Sequence, residues 1–337
     1  MKILYAALKY DYGIPERGYS FEHYNIYDTL VSMGHEIEYF DFYPLFLKHG
    51  SEGMTRLLKM KVDEYKPDLL FTFLYSDQFD PGLLRKITEE KKTVTFNWFA
   101  DDHWRFDEFS RHWAPCFTYV STTDVAAVAK YRASGYTNVL LTQWAANPNI
   151  YKRGDGRERY DITFVGQAYG DRPHVIRSLA QRGIEVQTWG TYWNIRKWHH
   201  YTRKFRVLSE KKFEEIACST RISQEEMVAV FQSSRINLNL SAASQQRKNQ
   251  IKGRNFEIPA CGGFQLTGYT ERLEDYFAID KEIVCYSTVD ELAEKLKFYL
   301  SHENERRSIA EAGYRRVLKE HTYERRLNAL FKEMGYG

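Results

Sequence analysis

The residues of this chain best equipped for chemistry gather in four places. The densest is KGRNFEIPACGGFQLT, residues 252–267, where Lys252, Arg254 and Glu257 fall within two helical turns and run into Gly262 and Gly263. Lysine and arginine neutralise phosphate, and a carboxylate offers two acceptor oxygens to the two hydroxyls of a vicinal diol such as a ribose. The glycine pair predicts room for a ligand ahead of the next strand. A charged helix stopped by a glycine cap has the same residues; two cations, an acid and two glycines at one corner tip the reading toward a binding site.

The second place is GQAYGDRPH, residues 166–174. Gly166 and Gly170 let backbone approach a ligand, and Asp171 suits the cap of a following helix. Arg172 then stands near the positive helix end, where a cation is tolerated best if an anion is bound. This predicts a diphosphate clamp; the plainer alternative is a glycine turn with a solvated arginine. The third is NWFADDHWRF, residues 97–106, whose Asp101, Asp102 and His103 can supply a base or hold sugar hydroxyls. One adjacent Asp pair without a further ligand at recognisable spacing argues against a metal site. A helix N-cap is the competing role for one of the acids. The fourth is NIRKWHHYTRKFRVLSEKK, residues 194–212, where Lys, Arg and His alternate with aromatics. Such a segment grips a polyanion and stacks on bases, or is simply a solvated loop.

Two series of strand and helix signals must position these residues. KILYAAL, EIEYFDF, DLLFTFLY, TVTFNWFA, CFTYVST and NVLLTQWA are short and apolar, with helical stretches between most of them. Glycine stops at Gly34 and Gly135 and a cap at Thr123 or Asp124 fall where helices need them. NPNIYKRGDGRERY, residues 147–160, is turn-rich and reads as a linker. DITFVGQ, IEVQTWG, RINLNLSA, GFQLT and EIVCYS form the second series, and helices fill the end from Val289 to Met334. Alternating strands and helices predict parallel sheets joined by right-handed crossovers, hence an α/β chain of two Rossmann-like halves with parallel sheets facing a cleft. Ligands of such sheets bind beyond the carboxyl ends of the strands.

Composition sets the frame. At 337 residues the chain suits two domains, and 43% hydrophobic with 28% charged residues is an ordinary globular balance. A net charge of +3 does not by itself indicate nucleic acid. The cysteines (Cys116, Cys218, Cys261, Cys285) have no C-x-x-C spacing, which fits a reducing cytoplasm. No run approaches the roughly 20 apolar residues of a membrane span.

With these residues in place, the chain resembles the CgeB-like (spore maturation protein-like) branch of the GT-B glycosyltransferases. NWFADDHWRFD, TTDVAAVAKYRASG, YDITFVGQAYGDR, KGRNFEIPACGGFQLTGYTERLEDYF and HTYERRLNALF carry the likeness, in that order. The resemblance implies an acceptor domain over 1–150, a nucleotide-sugar domain over 151–321, and a terminal helix in 322–337 returning to the first. Related retaining enzymes have an E-x7-E motif whose second Glu contacts the donor ribose. Glu257 matches that position and Asn249 stands at the first. Their G-R…K phosphate signature falls on Gly166, Gln167 and Arg172.

The expected activity is transfer of a sugar from a nucleotide-diphosphate sugar, UDP before GDP, to a glycan, protein, lipid-linked precursor or metabolite. No cofactor and no metal are expected. Three alternatives stand beside it: a glycosyltransferase acting on modified DNA through residues 194–212, a nucleotide-sugar 2-epimerase-like enzyme, and a non-catalytic sugar-nucleotide-binding or surface-assembly protein.

Overall fold

Hydrophobic stretches without polar alternation make strands buried on both faces, and such strands pair in parallel under helices. The computed structural model describes residues 1–242 and 249–336 and contains two sheets of this kind. The first comprises β1 (Lys2–Ala7), β2 (Glu36–Asp41), β3 (Leu69–Thr72), β4 (Val94–Phe99), β5 (Tyr119–Thr122) and β6 (Val139–Leu141). Their order is β2-β1-β3-β4-β5-β6, and each adjacent pair is parallel. The second comprises β7 (Tyr160–Val165), β8 (Gln187–Trp189), β9 (Ser234–Asn239), β10 (Gln265–Gly268) and β11 (Val284–Tyr286). Their order is β11-β10-β9-β7-β8, again parallel throughout.

The chain divides into two compact units. One is residues 1–147 together with the stretch from Tyr323; the other is Pro148–Thr322. In the first unit, side chains alternate across the sheet. Leu4, Leu70 and Val120 pack with Leu58, Leu84 and Ile87 from the helices Phe42–Tyr65 and Pro81–Glu89. Ile3, Tyr5, Phe71 and Trp98 pack on the other face, under Leu327, Leu330 and Phe331 of the terminal helix Tyr323–Glu333. In the second unit Ile162, Phe164, Ile236, Leu238 and Leu266 pack with helices that include Arg172–Gln181 and Val289–Ser301.

Local signals end and start the helices as helix physics requires. Asp80 accepts from the Leu83 N–H at 2.8 Å behind Pro81, and Asp124 accepts from the Ala126 N–H at 2.9 Å. Ser223 and Glu226 form a reciprocal capping box. Residues 148–159 contain no helix or strand. The basic segment departs from the solvated-loop reading: it folds into two helices, Lys197–Lys204 and Glu210–Ala217.

Candidate functional site

The carboxyl edge of the second sheet collects most of the residues singled out above. β7 ends at Val165, and the chain passes through Gly166 and Gln167 to the helix Arg172–Gln181. Gly166 is wedged by its surroundings: a Cβ there would lie 2.8 Å from the Phe164 ring. Arg172 is buried and points back under this loop. Its guanidinium donates to the Gln167 carbonyl at 3.0 Å and to the Leu240 carbonyl at 2.9 Å, tying the ends of β7 and β9 together. Its Nε has no hydrogen-bond partner among the described residues. The forked clamp expected of Arg172 is therefore a correction in geometry: both of its terminal nitrogens brace backbone, and Nε is the one nitrogen with no partner among the described residues. Burial, with Arg254 acting in the same direction, holds its pKa below the ordinary value.

Tyr169, which sequence reasoning passed over, organises the cations. The Arg172 guanidinium lies 3.9 Å from its ring centroid, and Lys252 Nζ lies 5.2 Å from the same centroid. Lys252 also donates to the Tyr169 hydroxyl at 2.6 Å and to the Ala242 carbonyl at 2.7 Å. The visible signal was an aromatic between two glycines and two residues from an aspartate–arginine pair, which no spacing rule singles out.

Glu257 sits in the helix Arg254–Ala260 and is fully buried. Its Oε2 accepts from Arg254, one turn earlier. Burial lowers the Arg254 pKa, and the neighbouring Glu257 reverses this to a net increase. Oε1 of Glu257 has no hydrogen-bond partner among the described residues. A buried carboxylate oxygen left without a donor costs free energy on the order of 1–3 kcal/mol, so the site stores a demand for one more N–H or O–H. The sequence reading gave both oxygens to a ligand; Arg254 takes one.

Gly262 and Gly263 are corrected more fully. Gly262 has φ +74°, and its N–H bonds the Pro259 carbonyl at 2.8 Å while that of Gly263 bonds the Ile258 carbonyl at 3.1 Å. This is the six-residue Schellman closure of a helix. A Cβ on Gly263 would come within 2.8 Å of Asn237 Nδ2 and 2.9 Å of the Phe231 carbonyl. Helix capping and sheet packing account for both glycines, with no space for a ligand. Asn249, at the first position of the compared motif, donates to the Tyr269 carbonyl at 2.7 Å.

In the first unit, β4 leads into a short helix Asp102–Arg105. Asp101 holds the N-cap position without a side-chain cap bond and is half-buried, as is His103. Asp102 differs. It is fully buried and accepts from the Tyr131 hydroxyl at 3.0 Å. Burial pushes its pKa up, and the hydroxyls of Ser110, Thr122 and Tyr131 oppose that. The expectation that Asp102 meets a substrate is corrected in its exposure: the carboxylate is enclosed, with Oδ1, like Oε1 of Glu257, lacking a hydrogen-bond partner among the described residues. Among the described residues, no group of three or more His, Cys, Asp or Glu side chains is arranged to hold a metal.

Known proteins agree with this architecture. A sequence profile of the family described as "Glycosyl transferase-like" matches residues 172–332. The spore protein CgeB of Bacillus subtilis (strain 168) is 23% identical over 276 residues, spanning 79% of this chain and 82% of that protein. Sucrose-phosphate synthase from Thermosynechococcus elongatus superposes with a TM-score of 0.63 at 10% identity, covering 99% of each chain. Anabaena Alr3699/HepE, solved in complex with UDP-glucose, gives 0.62 at 11% identity, also over 99% of each chain. The chain has the GT-B fold of these structures, and over residues 172–332 it matches the glycosyl transferase-like family. Its sequence is similar to that of CgeB, as the motifs indicated. No helix among the described residues is long and apolar enough to cross a membrane.

Proposed function

We propose that the protein transfers a sugar from a UDP-sugar held at the carboxyl edge of its second sheet, without a metal ion. The observation that carries this reading is the buried Glu257 with Oε1 unpartnered, one helical turn from Arg254 and beside the Lys252–Tyr169–Arg172 cluster. A ribose hydroxyl supplies the donor that Oε1 lacks. Lys252 and Arg254 carry charge for the diphosphate, and their attraction to the leaving group grows as negative charge develops on it. Arg172, with Gly166 and Gln167, shapes the loop behind that diphosphate. HepE, solved with UDP-glucose, shares the fold and supports UDP before other nucleotides.

On this reading the acid–base work at the first unit belongs to Asp101 and His103, and Asp102 positions their helix. The acceptor is a hydroxyl compound whose identity the site residues do not specify. Four cysteines stand as free thiols, which supports a reducing, cytoplasmic setting. The test is calorimetry with UDP, GDP, ADP and CDP, followed by turnover of UDP-sugars in EDTA. Binding at a hundredfold excess over Kd raises apparent stability by about 2.7 kcal/mol. Preference for UDP and turnover that persists in EDTA are expected. Equal response to all four nucleotides, or activity restored only by added magnesium or manganese, overturns the reading.

A further inference from the structure

The helix Lys197–Lys204 and the residues just after it carry large apolar side chains into solvent. Trp198 is 55% exposed, Tyr201 62%, Phe205 71% and Val207 78%. Trp198, Tyr201 and Phe205 are spaced by three and four residues, so they share one face. The opposite side holds the helix down. His199 is buried, the His200 ring lies 5.4 Å from that of Phe213, and Arg203 lies 4.6 Å from the same ring and pairs with Glu210. The aromatic face is therefore fixed outward by packing beneath it. Lys197 and Lys204, seven residues apart, line one flank of this face, and Arg206 follows it. None of these three makes an ion pair with the described residues.

We infer that this face is a docking element for an anionic phospholipid surface. Aromatic rings fixed outward on a helix beside unpaired cations match the water–hydrocarbon boundary of a bilayer. The rings enter the headgroup layer there, while lysine and arginine remain with the phosphates. Nucleic acid fits less well. Stacking successive bases needs a groove with aromatic platforms along it, whereas these rings stand on a convex helix face and the most exposed side chain, Val207, has no π-face. An element of this size gives weak, reversible attachment, so it brings the protein to a surface without anchoring it.

The experiment is co-sedimentation of the full chain with phosphatidylcholine vesicles, with and without phosphatidylglycerol, at low and high salt. Binding to the anionic vesicles, weakened by salt, is expected. Substituting Trp198→Ser, Tyr201→Ser and Phe205→Ser together should weaken it about tenfold or more. Substituting Lys197→Gln, Lys204→Gln and Arg206→Gln should weaken it about fivefold per charge removed. Unchanged melting and unchanged UDP binding verify that the variants are folded, with Trp198→Ser alone as the milder variant if the triple one is not. Absence of vesicle binding, equal binding to neutral vesicles, or vesicle binding that survives both sets of substitutions overturns the inference. So does tighter, substitution-sensitive binding to a single-stranded oligonucleotide.

Discussion

The carboxyl edges of the two sheets treat their charged groups in opposite ways. Beyond the five-stranded sheet, Arg172 and Lys252 bond to carbonyl oxygens and lie against one tyrosine. Carbonyls satisfy a cation's donors without cancelling its charge, so the field remains for an incoming anion. Beyond the six-stranded sheet, Asp102 is enclosed and held by the Tyr131 hydroxyl. Burial there disfavours the charge itself. One edge keeps its charge available to a ligand; the other encloses the Asp102 carboxylate and leaves Asp101 and His103 half-buried. The lesson is that a charged residue's hydrogen-bond partner, more than its position in a motif, decides whether it serves binding or architecture.

This contrast can be broken by experiment. The largest effect should come from the rim of the first unit. His103→Ala should lower kcat about 10²–10⁴-fold if it handles a proton, with UDP affinity unchanged, and Asp101→Asn should act in the same direction. Near-normal kcat in both variants removes that edge from the chemistry. Next comes Glu257→Ala, which takes away the acceptor oxygen and Arg254's partner together. UDP affinity should fall by about 1.5–3 kcal/mol, roughly ten- to a hundredfold. Calorimetry giving a wild-type Kd would show that the ribose does not use Oε1.

Asp102→Asn sharpens the other side. A residue that only positions the helix should cost about 1 kcal/mol of stability on substitution, seen as a lower melting temperature, while kcat stays within a few-fold. A collapse of kcat with normal melting would restore Asp102 as a reacting group.

The smallest effect concerns Glu22, whose pKa burial pushes up to about 7 from an ordinary 4.5. The folded state thus holds a proton that the unfolded chain releases between those values. Stability contributed by this group is highest below about pH 4.5 and falls as pH rises to about 7. Glu22→Gln should therefore raise the melting temperature at pH 8, with the gain fading toward pH 5. A gain of the same size at both pH values would mean the carboxyl titrates normally.

Much of the fold was legible because strands such as KILYAA and YDITFV are short, mostly apolar and bounded by caps and glycines. The cation-and-acid corner was legible for the same reason: Lys252, Arg254 and Glu257 lie close in sequence. What escaped was tertiary. Tyr169 meets Lys252 across 83 residues, and Asp102 meets Tyr131 across 29, distances over which no local pattern reports. Gly262 and Gly263 misled because a helix cap and a ligand clearance call for the same residue. The basic segment misled because its charges disguised a helix whose apolar face is not buried.

The terminal helix has a consequence for how the protein is made. The segment from Tyr323 closes the sheet face that holds Ile3, Phe71 and Trp98, and its N–H at Tyr323 bonds the Ala146 carbonyl at 3.0 Å. During synthesis, the first 147 residues emerge with that face covered in part, by Ile26 and Leu30. The contiguous second unit is then complete before Leu327, Leu330 and Phe331 appear to cover it. The order of translation is thus the reverse of the order in which the two units can finish folding: the unit begun first is sealed last, and until then part of its apolar sheet face stays uncovered.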